Sequence, residues 1–415
     1  MNKRKIFNDP VYGFVTIPYD IIYDLIEHPF FQRMRRIKQL GLTDYVYPGA
    51  LHTRFSHALG ALHLMTQAID VLRSKGADIT EDEAEAVTIA ILLHDIGHGP
   101  HSHALEKYLV TGATHEHLSR VMMDRLNEEF NGRLELAIRI FRNEYHKTFL
   151  NQLVASQLDV DRLDYLNRDN FFTGVNEGVI GYDRIIKMMD VQEGRLVIEA
   201  KGIYSIEKFI IARRLMYWQV YLHKTVLGVE QLLSKIISRA KALAEQGVAL
   251  EGTPALKYFL AHRFNADDFK PYSKMLDQFA KLDDTDVMAA IKSWTHSSDK
   301  VLAILASKIV DRHLLHVTLH SEPFSQNKLE AYKEQAVNYY NISYQDADAL
   351  VFTGSTSNSA YSTTGSKINI LYKDGRVQDI ADASDQLNIS VLAKPVVKYF
   401  LCVPKVLCRQ YEEVK

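Results

Sequence analysis

The stretch 92–103 reads LLHDIGHGPHSH. An apolar run over 86–93 ends in His94 and Asp95, and a glycine-punctuated loop then adds His98, His101 and His103. Six of the 17 histidines fall between His94 and His117. Imidazole nitrogens and carboxylate oxygens are ligands of divalent transition metals, and packing alone gives no reason to set them side by side at the end of an apolar helix. The pattern points to a metal centre that works on phosphates. Such a centre gathers ligands from several helices, so a third histidine and a second carboxylate are expected elsewhere. His52 and His57, in LHTRFSH, are the upstream candidates. Asp159, Asp161 and Asp164, in QLDVDRLDYLNRD, are the downstream ones. On a helix over 156–166, Asp161 and Asp164 share roughly one face and Asp159 lies elsewhere. The same spacing fits carboxylates paired with Arg162 and Arg168 on a solvated helix, so spacing leaves the choice open.

The elements that must position these residues are mostly helical. Residues 1–18 carry turn formers and read as an extended arm or hairpin. A helical pattern over 20–40 is reopened at Pro29, since a first-turn proline sacrifices no hydrogen bond. A short extended piece is expected at 45–47. Ser56 is a plausible N-cap for a helix over 56–75 with an apolar stripe. Thr80 and Glu83 form a capping box for the helix that runs to about 93 and delivers His94 and Asp95. Further helices are expected over 116–130, 133–142 and 147–166, then a β-hairpin over 185–200 around Glu193-Gly194. The longest helical pattern runs from 206 to about 246. After about 317 the composition shifts. A Gly/Ser/Thr-rich loop is expected over 353–366, a strand–turn–strand around Lys373-Asp374-Gly375, and a last strand in VVKYFLCV. A helical body over 1–320 thus carries a smaller α/β region over 321–415, whose role is left open.

At 415 residues the chain can bury a large core, and 47% apolar with 24% charged residues is ordinary for a globular protein. A formal net charge of −2 gives no global electrostatic case for nucleic acid. The two cysteines, Cys402 and Cys408, form neither a zinc-ribbon spacing nor a disulfide framework, so a reducing, cytoplasmic setting is the expectation. The basic start lacks the apolar segment of a signal peptide, and no apolar run approaches the ~20 residues of a membrane span.

HDIGHGPHSH, preceded by HTRFSH and followed by LDVDRLDYLNRD, resembles the HD-domain metal phosphohydrolases, and among them the deoxynucleoside triphosphate triphosphohydrolases. The likeness extends from KIFNDP to about Lys224. It implies a mainly α fold, with an HD-domain helical core, small β-hairpin elements and the smaller α/β C-terminal region. It also implies metal ligands at His57, His94, Asp95 and Asp161. Arg54 shares a motif with His57 and would hold phosphate, while His98 and His103 match positions beside the phosphates or metal. His115 and Glu116 match the family's catalytic pair: His115 would protonate the leaving 5′-oxygen and Glu116 would orient it. His101 and His117 match no role and are expected at the surface or behind the ligands.

For the substrate, the resemblance implies a sugar contacted by Gln39, Leu40, Tyr165 and Asp169. Arg162, Arg213, Tyr221 and Lys224 match phosphate-side and base-side positions, and Tyr217 stands where the family has histidine. Lys5, Asn8, Glu27, Gln32, Arg35 and Arg184 match the place where related enzymes hold an activating guanine nucleotide, dGTP or GTP, between subunits. That implies a homo-oligomer, a tetramer or a dimer. Two histidines and two aspartates suit Mn, Fe, Zn, Co or Ni, with Mg assisting at the phosphates. The implied reaction is hydrolysis of a deoxynucleoside triphosphate to deoxynucleoside and triphosphate. The rivals are a nucleotide monophosphatase or phosphodiesterase on the same metal site, and a nucleotide sensor without catalysis.

Overall fold

The computed structural model describes residues 5–110, 112–359, 361–362, 367–384 and 395–412. The chain opens with a hairpin, β1 (Ile6–Asp9) and β2 (Gly13–Thr16), as the turn formers predict. Helices α1 (Asp20–Glu27) and α2 (Pro29–Gln32) follow, with Pro29 opening the second. Residues 45–47 are not extended: Thr43–Tyr45 is a 3₁₀ turn.

Helix α3 spans Arg54–Ser74 and α4 spans Glu81–Leu93. The cap of α3 is Thr53 rather than Ser56. Ser56 occupies the third helical position, where its hydroxyl accepts from the Thr53 amide at 3.2 Å. This extra turn at the start brings Arg54 and His57 onto the helix. The Thr80–Glu83 capping box forms as expected. Nearly every residue from Ala84 to Leu93 is buried, so α4 runs through the core and ends beneath the surface. α5 (His103–Leu109), α6 (His115–Glu129) and α7 (Glu135–Phe141) complete the first layer.

The pattern over 147–166 is two helices, α8 (Thr148–Val154) and α9 (Val160–Thr173). Asp159 breaks it: its carboxylate accepts from the amides of Ser156 (2.7 Å) and Arg162 (2.8 Å), an N-cap that starts α9 afresh. Helix α9 packs against α3 at Gly60. A Cβ there would lie 2.0 Å from an Asp164 carboxylate oxygen, so only glycine permits the approach. After α10 (Tyr182–Lys187), strands β3 (Met189–Gln192) and β4 (Arg195–Glu199) make the expected hairpin. The long pattern after 206 is interrupted: α11 (Ile203–Met216) passes through a π-helical turn at Tyr217–Tyr221 into α12 (Lys224–Glu245). Such turns widen a helix locally and re-aim its side chains.

Helices α13 (Pro254–Ala261), α14 (Lys274–Phe279), α15 (Asp284–Trp294) and α16 (Lys300–Val310) close the body, before β5 (His316–His320) and α17 (Gln326–Tyr340). Part of the stretch expected as a loop is a strand, β6 (Phe352–Asn358); residues 360 and 363–366 of that stretch lie outside the described residues. β7 (Asn369–Leu371), β8 (Val377–Asp379), α18 (Ile380–Ala383), β9 (Val396–Val403) and α19 (Lys405–Glu412) follow. β6 is recruited because β9 pairs with it along its length and with β5 on the other side. β7 pairs in parallel with β4, extending the hairpin to the order β3-β4-β7-β8. The fold is mainly helical with small sheets. Among the described residues, no helix is long and apolar enough to cross a membrane.

Candidate active site

The end of α4 is where the buried polar residues gather. His94 donates from Nδ1 to the Ile91 carbonyl at 2.6 Å, which leaves Nε2 as the free lone pair. His57, on α3, is fully buried, and its Nδ1 meets the Asp164 carboxylate at 2.7 Å. Its Nε2 therefore faces the same space, 3.4 Å from His94 Nε2. Asp161 enters from the first turn of α9, with Oδ1 3.1 Å from His57 Nε2 and 3.4 Å from His94 Nε2. Asp95 adds an oxygen 3.5 Å from His94 Nε2 and another 3.8 Å from His57 Nε2. Three elements thus bring ligand atoms of His57, His94 and Asp161 within 4.8 Å of one another, with Asp95 beside both histidines, a donor set fit for a divalent transition metal.

The electrostatics suit a cation. Burial works against charge on His57, yet Asp161 and Asp164 lift it to about 10. Burial opposes His94 too, and Asp95 with Asp161 raises it. Burial favours the neutral acid at Asp95 and Asp161; Arg54, His94 and His98 nonetheless hold Asp95 well below the carboxylate range, and His57 with His94 does the same for Asp161. The carboxylates stay ionised and a dication would displace protons from the imidazoles.

Partners behind the ligands were only partly visible in the sequence. Asp164 joins His57 to Arg168, which reaches Asp9 on β1 at 2.8 Å. Ser119 on α6 donates to the His94 carbonyl (2.8 Å) and accepts from the Gly97 amide (2.9 Å). Gly97 has no alternative, because a Cβ there would sit 2.3 Å from the His115 carbonyl oxygen. Arg33, fully buried, donates to the carbonyls of Ile96 and His98, both at 2.8 Å, and of Leu282 at 3.0 Å. It pins the histidine loop to the start of α15. Asp164, Arg168 and Gly97 lie within the motifs without a role read from the resemblance, and Ser119 and Arg33 lie outside any motif; the fold makes each of them central.

His52 does not join the cluster. Its Nε2 lies 2.7 Å from Asp169, and its ring stacks on Phe172. Asp169 also accepts from the Tyr221 hydroxyl at 2.7 Å, so His52 and Tyr221 together orient it. Asp159 is spent as the α9 cap.

Above the cluster lies a cavity of about 390 Å³. Its walls include Arg54, Asp95, His98, His103, His115, Asp161, Arg162, Tyr165, Asp169 and Tyr221, and Gln39 and Leu40 line it from the facing loop. Arg54 donates to Asp95 and, through Nε, to Ser102 at 2.9 Å. Arg213 and Lys224 are not among the lining residues. The Arg213 guanidinium lies 5.6 Å from the Tyr217 ring, and Lys224 is exposed at the start of α12. The surface set is spread over separate elements: Lys5 sits over Tyr23, Asn8 is in β1, Glu27 ends α1, Arg35 stacks on Phe55 and holds Gln32, and Arg184 donates to the Lys201 carbonyl.

His98, His103 and His115 form a second group whose ligand atoms lie within 4.8 Å of one another. His98 and His115 stack face to face at 3.9 Å with 14° between planes, which brings ring faces rather than lone pairs together. His115 is held by Glu106, which accepts from its amide (2.6 Å) and meets Nδ1 (3.1 Å). Glu116 is exposed. The sequence signal for Glu106 was its position three residues after His103 on one helix, where it also meets His103 Nδ1 at 3.2 Å. His101, expected at the surface or behind the ligands, is buried and lines the cavity. His117 is half-buried, with Nε2 3.2 Å from the Ala266 carbonyl oxygen.

The HD domain family model matches residues 54–169, and the model of the HD associated region matches 180–250. The crystal structure of a phosphohydrolase from Bacteroides thetaiotaomicron VPI-5482 is similar with a TM-score of 0.93 and 52% identity, over 97% of this chain and 100% of that one. An uncharacterized protein of Bacillus subtilis (strain 168), YwfO, is 33% identical over 321 residues, 76% of this chain and 72% of its own. The deoxynucleoside triphosphate triphosphohydrolase SAMHD1 of Homo sapiens is 29% identical over 67% of this chain, which spans half the length of that protein.

Proposed function

Because this chain belongs to the HD-domain phosphohydrolases and resembles their dNTP triphosphohydrolase branch, we propose that it hydrolyses deoxynucleoside triphosphates to deoxynucleoside and inorganic triphosphate. The observation that carries the reading is the cavity itself: Asp95 and Asp161, which meet His57 and His94 behind them, line one space with Tyr165, Asp169 and Tyr221.

His57, His94, Asp95 and Asp161 would hold a divalent metal, which when bound supplies Lewis acidity and lowers the pKa of water toward neutrality. Arg54 and Arg162 offset charge on the phosphates. Asp169, oriented by His52 and Tyr221, accepts a sugar hydroxyl proton, and Tyr165 packs on the ring. His115 donates the proton that the departing 5′-oxygen needs, with Glu106 holding its Nδ1 so that Nε2 does the work. His98 and His103 bind phosphate oxygens beside it. A guanine nucleotide at the surface carrying Lys5, Asn8, Glu27, Gln32, Arg35 and Arg184 raises activity by favouring an oligomer. The test is a nucleotide panel with Mn or Mg, with and without dGTP. Triphosphate release supports the reading; release of monophosphate or of free phosphate from monophosphates favours the rival activities.

A further inference from the structure

We propose that the cavity reads the nucleobase through Glu230 on α12, and that guanine is the base it accepts best; the inference rests on the nucleotide reading above. Glu230 lines the same cavity as Tyr165 and Asp169. Among the described residues no cation or hydrogen-bond donor meets its carboxyl, and burial alone pushes its pKa up to about 7. Two neighbours along the wall carry polar atoms that are buried outright. Gln39 Oε1 and both ring nitrogens of His101 are buried without a hydrogen-bond partner. His101 Nδ1 stays 3.9 Å from Asp284, whose carboxylate is already used by the amides of His101 and Lys38. His101 and Ser102 also hold φ values of 52° and 53°, in the left-handed region. The Gly41 backbone joins the groups spatially: a Cβ there would lie 3.3 Å from the His101 carbonyl oxygen and 4.0 Å from Glu230 Oε1.

Buried polar groups in proteins are hydrogen-bonded as a rule, so the two buried unpaired ones, Gln39 and His101, with Glu230 half-buried beside them on one wall of a ligand cavity, are partners waiting for a ligand. The ligand is polyanionic, and a carboxylate cannot face its phosphates. The sugar hydroxyl is already taken by Asp169 in this reading, so Glu230 is left to the part that brings N–H donors, which is the base. Guanine alone of the four DNA bases presents two adjacent donors, N1–H and N2–H₂, and a carboxylate accepts both in parallel. Adenine and cytosine offer one donor beside an acceptor, and thymine offers one between two carbonyls.

The test is binding of the four deoxynucleosides and deoxyinosine to the full chain as purified, by calorimetry, beside a competition among the four dNTPs for turnover. Deoxyguanosine is expected to bind about tenfold or more tighter than thymidine, with deoxyinosine, which lacks the N2 amine, in between. Glu230→Gln, nearly the same shape, should erase most of that ratio. Equal affinities in the unmodified protein, or equal losses for every base in Glu230→Gln, would overturn the proposal. The deoxyguanosine-to-deoxyinosine comparison needs no variant and stands if Glu230→Gln fails to fold. Base-ranked binding without triphosphate release would sink the proposed reaction and sustain this inference; triphosphate release at equal rates from all four would do the reverse.

Discussion

At the scale of the residue, the proposed proton donor His115 is held by a carboxylate other than its motif neighbour. The sequence places Glu116 next to His115, but the carboxylate that meets the ring belongs to Glu106. Burial alone would raise Glu106, yet His103 and His115 hold it far below the glutamate range, so it remains an anion throughout the neutral region. His115→Ala is expected to lower kcat by about 10²–10⁴-fold while bound metal stays at the unmodified level. Glu106→Gln should lower kcat substantially and shift the acidic limb of the pH profile, while Glu116→Gln should change either little. Steady-state kinetics with elemental analysis of the same samples checks this. A large loss in Glu116→Gln with none in Glu106→Gln would reverse the assignment. The metal-side pairing His94-Asp95 was legible because two adjacent metal-type ligands at the end of an apolar helix serve no packing purpose. Glu230 and Arg33 were not legible, because a lone Glu or Arg on a helix carries no signal until the fold buries it.

At the scale of the element, α4 is the part that must not move, since it delivers His94 and Asp95. Its start is fixed by Glu83, which accepts from the Thr80 amide (2.9 Å), Tyr145 (2.7 Å) and Lys147 (2.9 Å). Burial tends to raise the Glu83 pKa, but Lys147, the Thr80 amide and Tyr145 bring it below the ordinary value. A depressed folded-state pKa adds stability above the unfolded pKa, and that stability is lost as pH falls through the folded value. Wild-type stability should therefore decline as pH drops below the usual glutamate range, and Glu83→Ala should cost about 1–2 kcal/mol near neutrality while flattening that acid limb. Denaturant melts across pH measure both; an unchanged acid limb in Glu83→Ala would rule out this role for the carboxylate. The Thr80–Glu83 box was readable because capping is local chemistry. The breaks at Asp159 and at Tyr217–Tyr221 were not, because apolar periodicity continues through both and only tertiary packing decides where the helix yields.

At the scale of the whole molecule, body and C-terminal region share backbone pairing. β9 lies between β5 and β6, and β7 adds to β4. Val317, opposite Cys402, and Gly354, opposite Phe400, gave no hint of this from sequence, since strand partners far apart in the chain leave no local trace. Removing residues 321–415 would strip both sheets of partners, so the shortened chain is expected to melt lower than the full one, as a thermal scan would show. Metal links the same body from within. Chelation should lower the melting temperature and readdition of Mn restore it, because a ligand bound only to the folded state stabilises it. An unchanged melt with demonstrated metal loss would argue that the cluster is not held by the ion.

Product identity decides whether the His57–His94–Asp95–Asp161 cluster performs the proposed reaction. The full chain and Asp161→Ala are each incubated with every dNTP and Mn, and the products are resolved by chromatography. Deoxynucleoside and inorganic triphosphate are expected in equal amounts from the unmodified chain, and neither from the variant. Nucleoside monophosphate with pyrophosphate, or turnover that survives in Asp161→Ala, would refute it.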